Sequence, residues 1–390
     1  MKHFIITGKN GSGKTSLIEA LSRYLNDICG EENVRNAKKP LRQVQKNLNY
    51  QVDHNREADT IEDTKKSIEF WQNTIYKNDS GLEAEFNKDI PYVNAAFKRS
   101  EFVLACFNAE RKFEADEPKH IEKIRIKDSY SIYEEPRKEF IKYLVDKKVS
   151  QSLYQTKNDL KKAKVLATWF NSFEALLRDI YEDQTLILDF DIDSFSFHII
   201  QDGRDAFDFN TMSAGYAAVL DIAVGIIMRM EHQTGGQFVF DMPGIVLIDE
   251  LEAHLHYELQ KKILPFLCKV FPNIQFIIST HSAFILNSIS NAVIYDLEKE
   301  ILVKDGLSEY PYEGIIEGYF KVSTLAEELK EKFDRYKKLV TKNKLTNDDY
   351  SEIARLSLFL DEIPDYLALD LTTEYQRLKM EFMHRKDTHG

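Results

Sequence analysis

The chain has 390 residues, 43% hydrophobic and 12% aromatic, with a formal net charge of −12 at pH 7. Such a length exceeds the usual single core, so one large α/β domain with an insertion, or two domains, is expected. The composition argues for a soluble globular protein; the acidic balance argues against coating nucleic acid by bulk electrostatics, and no apolar run approaches the roughly 18 residues of a membrane span.

The N-terminus shows no charged lead, apolar h-region and cleavage site, which predicts a cytoplasmic address. Its first apolar run, Phe4, Ile5 and Ile6, is a predicted strand that runs into "GKNGSGKT". Gly8, Gly11, Gly13, Lys14 and Thr15 fit G-x-x-x-x-G-K-[ST], and Leu17, Ile18, Leu21, Tyr24 and Leu25 follow at helical spacing. A glycine-rich turn alone needs neither the strand before nor the helix after. In a phosphate loop, backbone N–H groups of Gly8, Asn10, Gly11, Ser12, Gly13 and Ser16 are placed around the phosphates of ATP. Lys14 reaches the β- and γ-phosphates, and the Thr15 hydroxyl ligates Mg²⁺.

Residues 38–184 read as a mainly helical insertion. Leu41, Val44 and Leu48 recur at helical spacing, as do Ile61, Ile68 and Ile75, without the sustained heptads of a long coiled coil. "EFVLACF" (Glu101 to Phe107) has the pattern of a further strand of the main sheet. After it, Arg111 either faces the nucleotide or pairs with Glu110 or Glu114. The runs Lys119 to Lys127 and Lys157 to Lys164 are the best candidates for a local nucleic-acid patch, although runs of this length are usually solvated faces. A helical stretch from Pro136 to Tyr181 follows.

"LILDFDIDSFSFHII" alternates strictly, with Asp189, Asp191 and Asp193 on one face. Carboxylates on one strand face point in parallel, so a solvated hairpin face is favoured over a metal site. Ala217 to Met230 is apolar on nearly every face, hence a buried helix, and Ser213, Ala214 and Gly215 precede it. Either Ser213 simply caps this helix, or Ser213 and Gly215 present its N-terminus to an anion. In "GIVLIDELEAHLH" the continuous apolar run Ile245 to Ile248 fits a parallel strand buried on both faces, with Asp249 and Glu250 at its C-terminal end. There Asp249 holds Mg²⁺ and Glu250 accepts a proton from the attacking water. A helical stretch, Glu258 to Phe271, leads to a third strand, Ile274 to Ile278, which delivers Ser279, Thr280 and His281. Beyond residue 300 the chain turns polar and helical, with a break at Pro364. Cys29, Cys106 and Cys268 are odd in number and lack C-x-x-C, so they are read as inert core thiols.

In order, "GKNGSGKT", "MSAGY", "IVLIDE", "EAHLH" and "STHS" resemble the Walker A, signature, Walker B, D-loop and switch motifs of ABC-type ATPases of the RecF, SMC and OLD group. "LIDELEAHLH" and "STHSAFIL" are most similar to small bacterial AAA_21-like ATPases associated with anti-phage defence. The resemblance implies an α/β fold: a P-loop NTPase with an ABC-type head, whose mixed, mostly parallel sheet is flanked by helices. It assigns His281 to the γ-phosphate of its own site, and Ser213 and Gly215 to the γ-phosphate bound by a second subunit, so that two heads dimerise around ATP. Three departures stand out. Tyr216 replaces the Gln or Glu of many signatures, and His256 stands where a D-loop usually has Asp. The antiparallel start that precedes the P-loop strand in relatives has no counterpart before His3, so the adenine is expected to be held by a later segment or only weakly. Gln43, Gln45 and Gln51 are all open as the Q-loop glutamine.

The expected organisation is an ATPase core from 1–37 and 185–306, the insertion with the signature lobe from 38–184, and a helical C-terminal region from 307–390. That last region has no TOPRIM, HEPN or HNH constellation, so a nuclease belongs to another chain. The expected function is an ATP-hydrolysing, Mg²⁺-dependent homodimer or higher oligomer that gates a separately encoded effector, with DNA a possible ligand and no membrane contact. The alternatives are a RecF/SMC-type repair ATPase and a non-hydrolysing nucleotide-gated scaffold. A P-loop kinase shares the first motif but lacks a buried signature helix and a strand ending in Asp-Glu.

Overall fold

The sheet strands of this chain are short and largely apolar: β1 (His3–Thr7), β2 (Val103–Phe107), β5 (Gly244–Ile248), β6 (Ile274–Ser279), β7 (Ala292–Asp296) and β8 (Ile301–Val303). In the computed structural model, which describes residues 1–29, 34–54, 56, 58–78, 82, 84–310, 314–315, 327–342, 344–361 and 369–383, they form one sheet in the order β2-β5-β6-β1-β7-β8. All neighbours are parallel except β7 and β8. All five residues of β5 are buried, as a central parallel strand covered on both faces requires. The sheet is therefore mixed and mostly parallel, flanked by helices, as the sequence predicts.

The chain divides into two compact units, Met1–Glu309 and Tyr310–Gly390. Within the first, α1 (Lys14–Cys29) follows the P-loop, and Ile18, Leu25 and Ile28 bury one of its faces in the core that holds Ile6, Leu104 and Leu247. Helices α2 (Val34–Asp53) and α3 (Ala58–Asn78) pack on each other, with Thr64 Oγ1 donating to Gln51 Oε1 at 2.9 Å. Helix α4 (Ile90–Lys98) is started by Asp89, whose carboxylate accepts the Tyr92 N–H, and leads into β2. "VLACF" is thus an edge strand of the main sheet, paired residue by residue with β5.

The helical stretch after Pro136 is divided into α5 (Phe140–Thr156) and α6 (Leu160–Tyr181). Asn158 takes a φ of +59° and Asp159 caps the second helix through the Lys162 N–H, so local turn chemistry breaks a continuous helical pattern. The acidic stretch folds into a separate hairpin of β3 (Ile187–Asp191) and β4 (Ser196–Ile200). Asp193 lies in its turn, its N–H bound to Asp191 Oδ1, so only Asp189 and Asp191 share the strand face. No grouping of three His, Cys, Asp or Glu residues fit to hold a metal occurs among the described residues.

Helix α7 (Ala214–Thr234) is the axis of this unit, buried from Ala217 to Glu231. Its buried polar residues are each tied to a neighbouring segment. Arg229 donates to the Leu104 carbonyl at 3.0 Å, Glu231 pairs with Lys147 at 2.8 Å, and Asp221 pairs with Arg137. Helix α8 (Tyr257–Val270) returns the chain from β5 to β6, and the short α9 (Ala283–Leu286) follows β6. The second unit holds α10 (Glu327–Val340), α11 (Asn347–Asp361) and α12 (Leu369–Met383) around Tyr336, Leu356 and Tyr375. Pro364 lies outside the described residues. No helix among the described residues is long and apolar enough to cross a membrane.

Candidate functional site

The P-loop owes its shape to residues that no side chain can replace. Gly8, Gly11 and Gly13 have φ of +134°, +80° and +94°. Nothing lies within 4 Å of a Cβ built on Gly13, so backbone conformation alone demands glycine there. At Gly8 space is short as well, with Ser12 Oγ 2.9 Å and the Glu298 nitrogen 3.2 Å from the added carbon. Helix α1 begins directly after the loop, with the Leu17 N–H bound to the Gly13 carbonyl, so its N-terminus and dipole point into the loop. Asn10, Thr15 and Ser16 are exposed at this end. Lys14 is buried, and its ammonium lies across the loop, donating to the Gly8 and Lys9 carbonyls at 3.0 Å each.

Sheet order brings the second half of the site alongside. β6 lies between β1 and β5, so the C-terminal ends of the P-loop, switch and Walker B strands are adjacent. Burial lowers the Lys14 pKa, and Glu250, Glu252, Asp249 and Asp296 oppose that shift, which records how near these carboxylates come. The Ser279 hydroxyl donates to Asp249 Oδ1 and accepts the Glu250 N–H at 2.8 Å, joining the two strand ends. Glu250 takes φ +45°, a conformation rare for residues with a side chain and concentrated at functional sites. Beyond it, Glu252 accepts from Thr280 Oγ1 at 2.7 Å and from the His281 N–H. His281 Nε2 is buried and has no hydrogen-bond partner among the described residues. The Thr15 hydroxyl and the Asp249 carboxylate are hard oxygen donors of the kind Mg²⁺ takes alongside nucleotide phosphates.

Ser213 stands in the N-cap position of α7, φ −63° and ψ 148°, and its carbonyl accepts the Ala217 N–H at 2.9 Å. Its hydroxyl makes no capping bond, and the residue is exposed. The helix N-terminus therefore faces outward without being satisfied by its own cap. Gly215 behind it is buried, and a Cβ there would meet the His254 carbonyl at 3.2 Å and Leu259 at 3.3 Å. A packing reason for this glycine thus exists within one chain, separate from any approach of phosphate.

A family model described as AAA domain, putative AbiEii toxin, Type IV TA system, matches residues 4–287, well over half the chain. The chain belongs to that family. It is also 27% identical over 217 residues to Septu protein PtuA of Bacillus mycoides (strain KBAB4), covering 53% of this chain and 29% of PtuA. To the Retron Ec83 probable ATPase of Escherichia coli it is 32% identical, over 35% of this chain and 26% of that protein. Identity to the Retron Vc95 probable ATPase of Vibrio cholerae is 26%, over 74% of this chain and 68% of that one. The chain thus spans less than a third of the length of the first two relatives. Among solved structures, an Smc head bound to the C-terminal winged-helix domain of ScpA aligns over 78% of this chain and 90% of its own, with 11% identity and a TM-score of 0.33.

In this AAA family member the departures acquire contacts. Tyr216 stacks on Tyr181 of α6, ring centroids 4.1 Å apart. His256 is exposed at the N-cap of α8 and makes no side-chain capping bond. Gln43, Gln45 and Gln51 all lie on α2, away from the strand ends; the residue that follows β2 at the edge shared with Asp249 is Asn108, which is exposed. Arg111 pairs with neither Glu110 nor Glu114. Its guanidinium binds backbone carbonyls of the Walker B turn. The sequence places Ser279 at the end of its strand without giving it a role, and Glu252 is visible only as a third carboxylate two residues after Glu250 in "DELEAH". Of the two basic runs, Lys123, Lys127 and Lys162 are ion-paired with Asp146, Glu134 and Asp159.

Proposed function

We propose that this chain is an ATP-hydrolysing head that dimerises around ATP and gates a separately encoded effector, a nuclease, in prokaryotic anti-phage defence. The observation that carries the ATPase part is the gathering of Lys14, Asp249, Glu250 and His281 at or just beyond the C-terminal ends of the neighbouring strands β1, β5 and β6, with Ser279 bridging Asp249 and Glu250. The relatives support the biological role by their names, Septu PtuA and retron probable ATPases.

Lys14 and the loop N–H groups hold the β- and γ-phosphates, and Thr15 and Asp249 hold Mg²⁺, which supplies charge neutralisation when bound. Glu250 takes a proton from water as the water oxygen bonds to the γ-phosphorus and the bond to the bridging oxygen of ADP breaks. His281 contacts the γ-phosphate through its free ring nitrogen. Ser213 and the N-terminus of α7 receive the γ-phosphate held by the second copy, so each site is completed by the partner. The apolar stripes of the C-terminal helices dock the effector, and the site of action is the cytoplasm.

Mixing separates a shared site from two independent ones. Ser213→Ala and Lys14→Ala chains are each inactive; in a heterodimer, one composite site joins an intact P-loop to an intact Ser213. Recovered phosphate release on mixing is the expected result. No recovery across mixing ratios, with heterodimers shown to form, removes the shared site.

A further inference from the structure

One buried guanidinium has no part in the roles assigned so far. Arg111, 3% exposed, lies just past the end of β2. Its Nη1 donates to the carbonyls of Asn108 at 3.0 Å and Asp249 at 2.7 Å, and its Nη2 to those of Glu250 at 2.7 Å and Leu251 at 3.2 Å. A single side chain therefore gathers the carbonyls of three consecutive residues, two of which carry the acidic groups of the site. The middle one, Glu250, is the residue at φ +45°. A left-handed backbone at a non-glycine residue is unfavourable and persists only where surrounding bonds over-determine it. Here those bonds are the Arg111 fork, the Glu250 N–H to Ser279 Oγ, the Leu251 N–H to the Ser279 carbonyl and the Ala253 N–H to the Glu250 carbonyl.

A fork of planar donors explains why the residue is arginine, since the three N–H groups of lysine radiate from one point and cannot span carbonyls on successive residues.

We propose that Arg111 is a positioning residue for Glu250: its guanidinium fork fixes the carbonyls of the turn that carries the general base. The inference rests on the role proposed above for Glu250 and adds the group that holds its backbone in place. A displacement of about 1 Å at a catalytic group is enough to change a rate on the order of a hundredfold.

The test compares full-length Arg111→Lys, Arg111→Gln and Glu250→Gln. Phosphate release is measured against ATP concentration, together with binding of a fluorescent ATP analogue. Arg111→Lys is expected to lower kcat at least about tenfold while KM and analogue affinity stay within about threefold. Hydrogen exchange at the Leu251 and Ala253 amides should quicken about tenfold in Arg111→Lys with α1 unchanged. Wild-type kcat in a folded Arg111→Lys protein, or unchanged exchange at those amides, overturns the inference. Should Arg111→Lys fail to fold, Arg111→Gln decides by the same measurements. Glu250→Gln separates the two levels: if it turns over normally, the underlying role of Glu250 fails, whereas an inert Glu250→Gln beside a fully active Arg111→Lys removes only this inference.

Discussion

At the scale of single residues, Glu250 and Ser213 carry the sharpest consequences. Glu250→Gln keeps Asp249 and the P-loop, so ATP binding should persist while hydrolysis falls by a factor on the order of 10²–10⁴, and ATP should accumulate in a stable dimer. Phosphate release and size-exclusion chromatography with ATP check both. Because the Ser213 hydroxyl makes no capping bond, Ser213→Ala should leave the urea midpoint nearly unchanged, where loss of a working cap costs about 1 kcal/mol. His3 offers a pH test. Its ring is buried on β1, Nδ1 accepts the Phe276 N–H at 3.2 Å, Nε2 lies 3.2 Å from Cys268 Sγ, and burial lowers its pKa from 6.5. The folded protein thus resists the proton that the unfolded chain accepts. Its contribution is complete above pH 6.5 and is lost as pH falls from there through the lowered folded value. Urea midpoints at pH 7.5 and 5.5 should differ, and His3→Asn should narrow the difference.

Among the elements, α7 and β2 are joined by a close approach that glycine permits. A Cβ on Gly225 would lie 2.8 Å from two ring atoms of Phe107, which is itself buried, so the ring has little room to yield. Gly225→Ala should therefore destabilise the chain by about 1–3 kcal/mol, read from chemical denaturation, although alanine is the better helix former by about 1 kcal/mol. An unchanged or raised stability would mean that Phe107 is not packed on α7 as described. The same contact explains why α7 could be recognised in the sequence but not placed. Its all-round apolar pattern predicts burial, whereas its neighbours depend on Gly225, on Arg229 reaching the Leu104 carbonyl and on Asp221 meeting Arg137, each more than eighty residues away along the chain.

For the whole molecule, the division into Met1–Glu309 and Tyr310–Gly390 frames one prediction. The second unit has its own core around Tyr336 and Tyr375, whose rings lie 5.1 Å apart. Removing the chain from about Ser323, a residue outside those described, should leave ATP-analogue binding through Lys14 intact and abolish association with the effector. Binding titrations and co-purification of the effector read the two effects separately. Loss of nucleotide binding on truncation, or effector association that survives it, contradicts the assignment of docking to this region.

The three strands that lead into the candidate site were legible in the sequence, because parallel strands buried on both faces are written as largely apolar runs and the P-loop demands glycine at fixed spacing. "HFIIT", "GIVLI" and "IQFIIS" could be read directly, as could Lys14, Asp249, Glu250 and His281 at or just beyond their ends. What only the tertiary structure decided are the contacts between those ends and the rest of the chain. Ser279 between Asp249 and Glu250, Glu252 on Thr280 and His281, Arg111 on the carbonyls of Asp249, Glu250 and Leu251, and the Ser213 hydroxyl without a capping bond have no local pattern. Hydrogen-bond partners far apart in sequence are set by strand order and backbone direction, and a side chain's composition records only that it can donate or accept, not to which distant group.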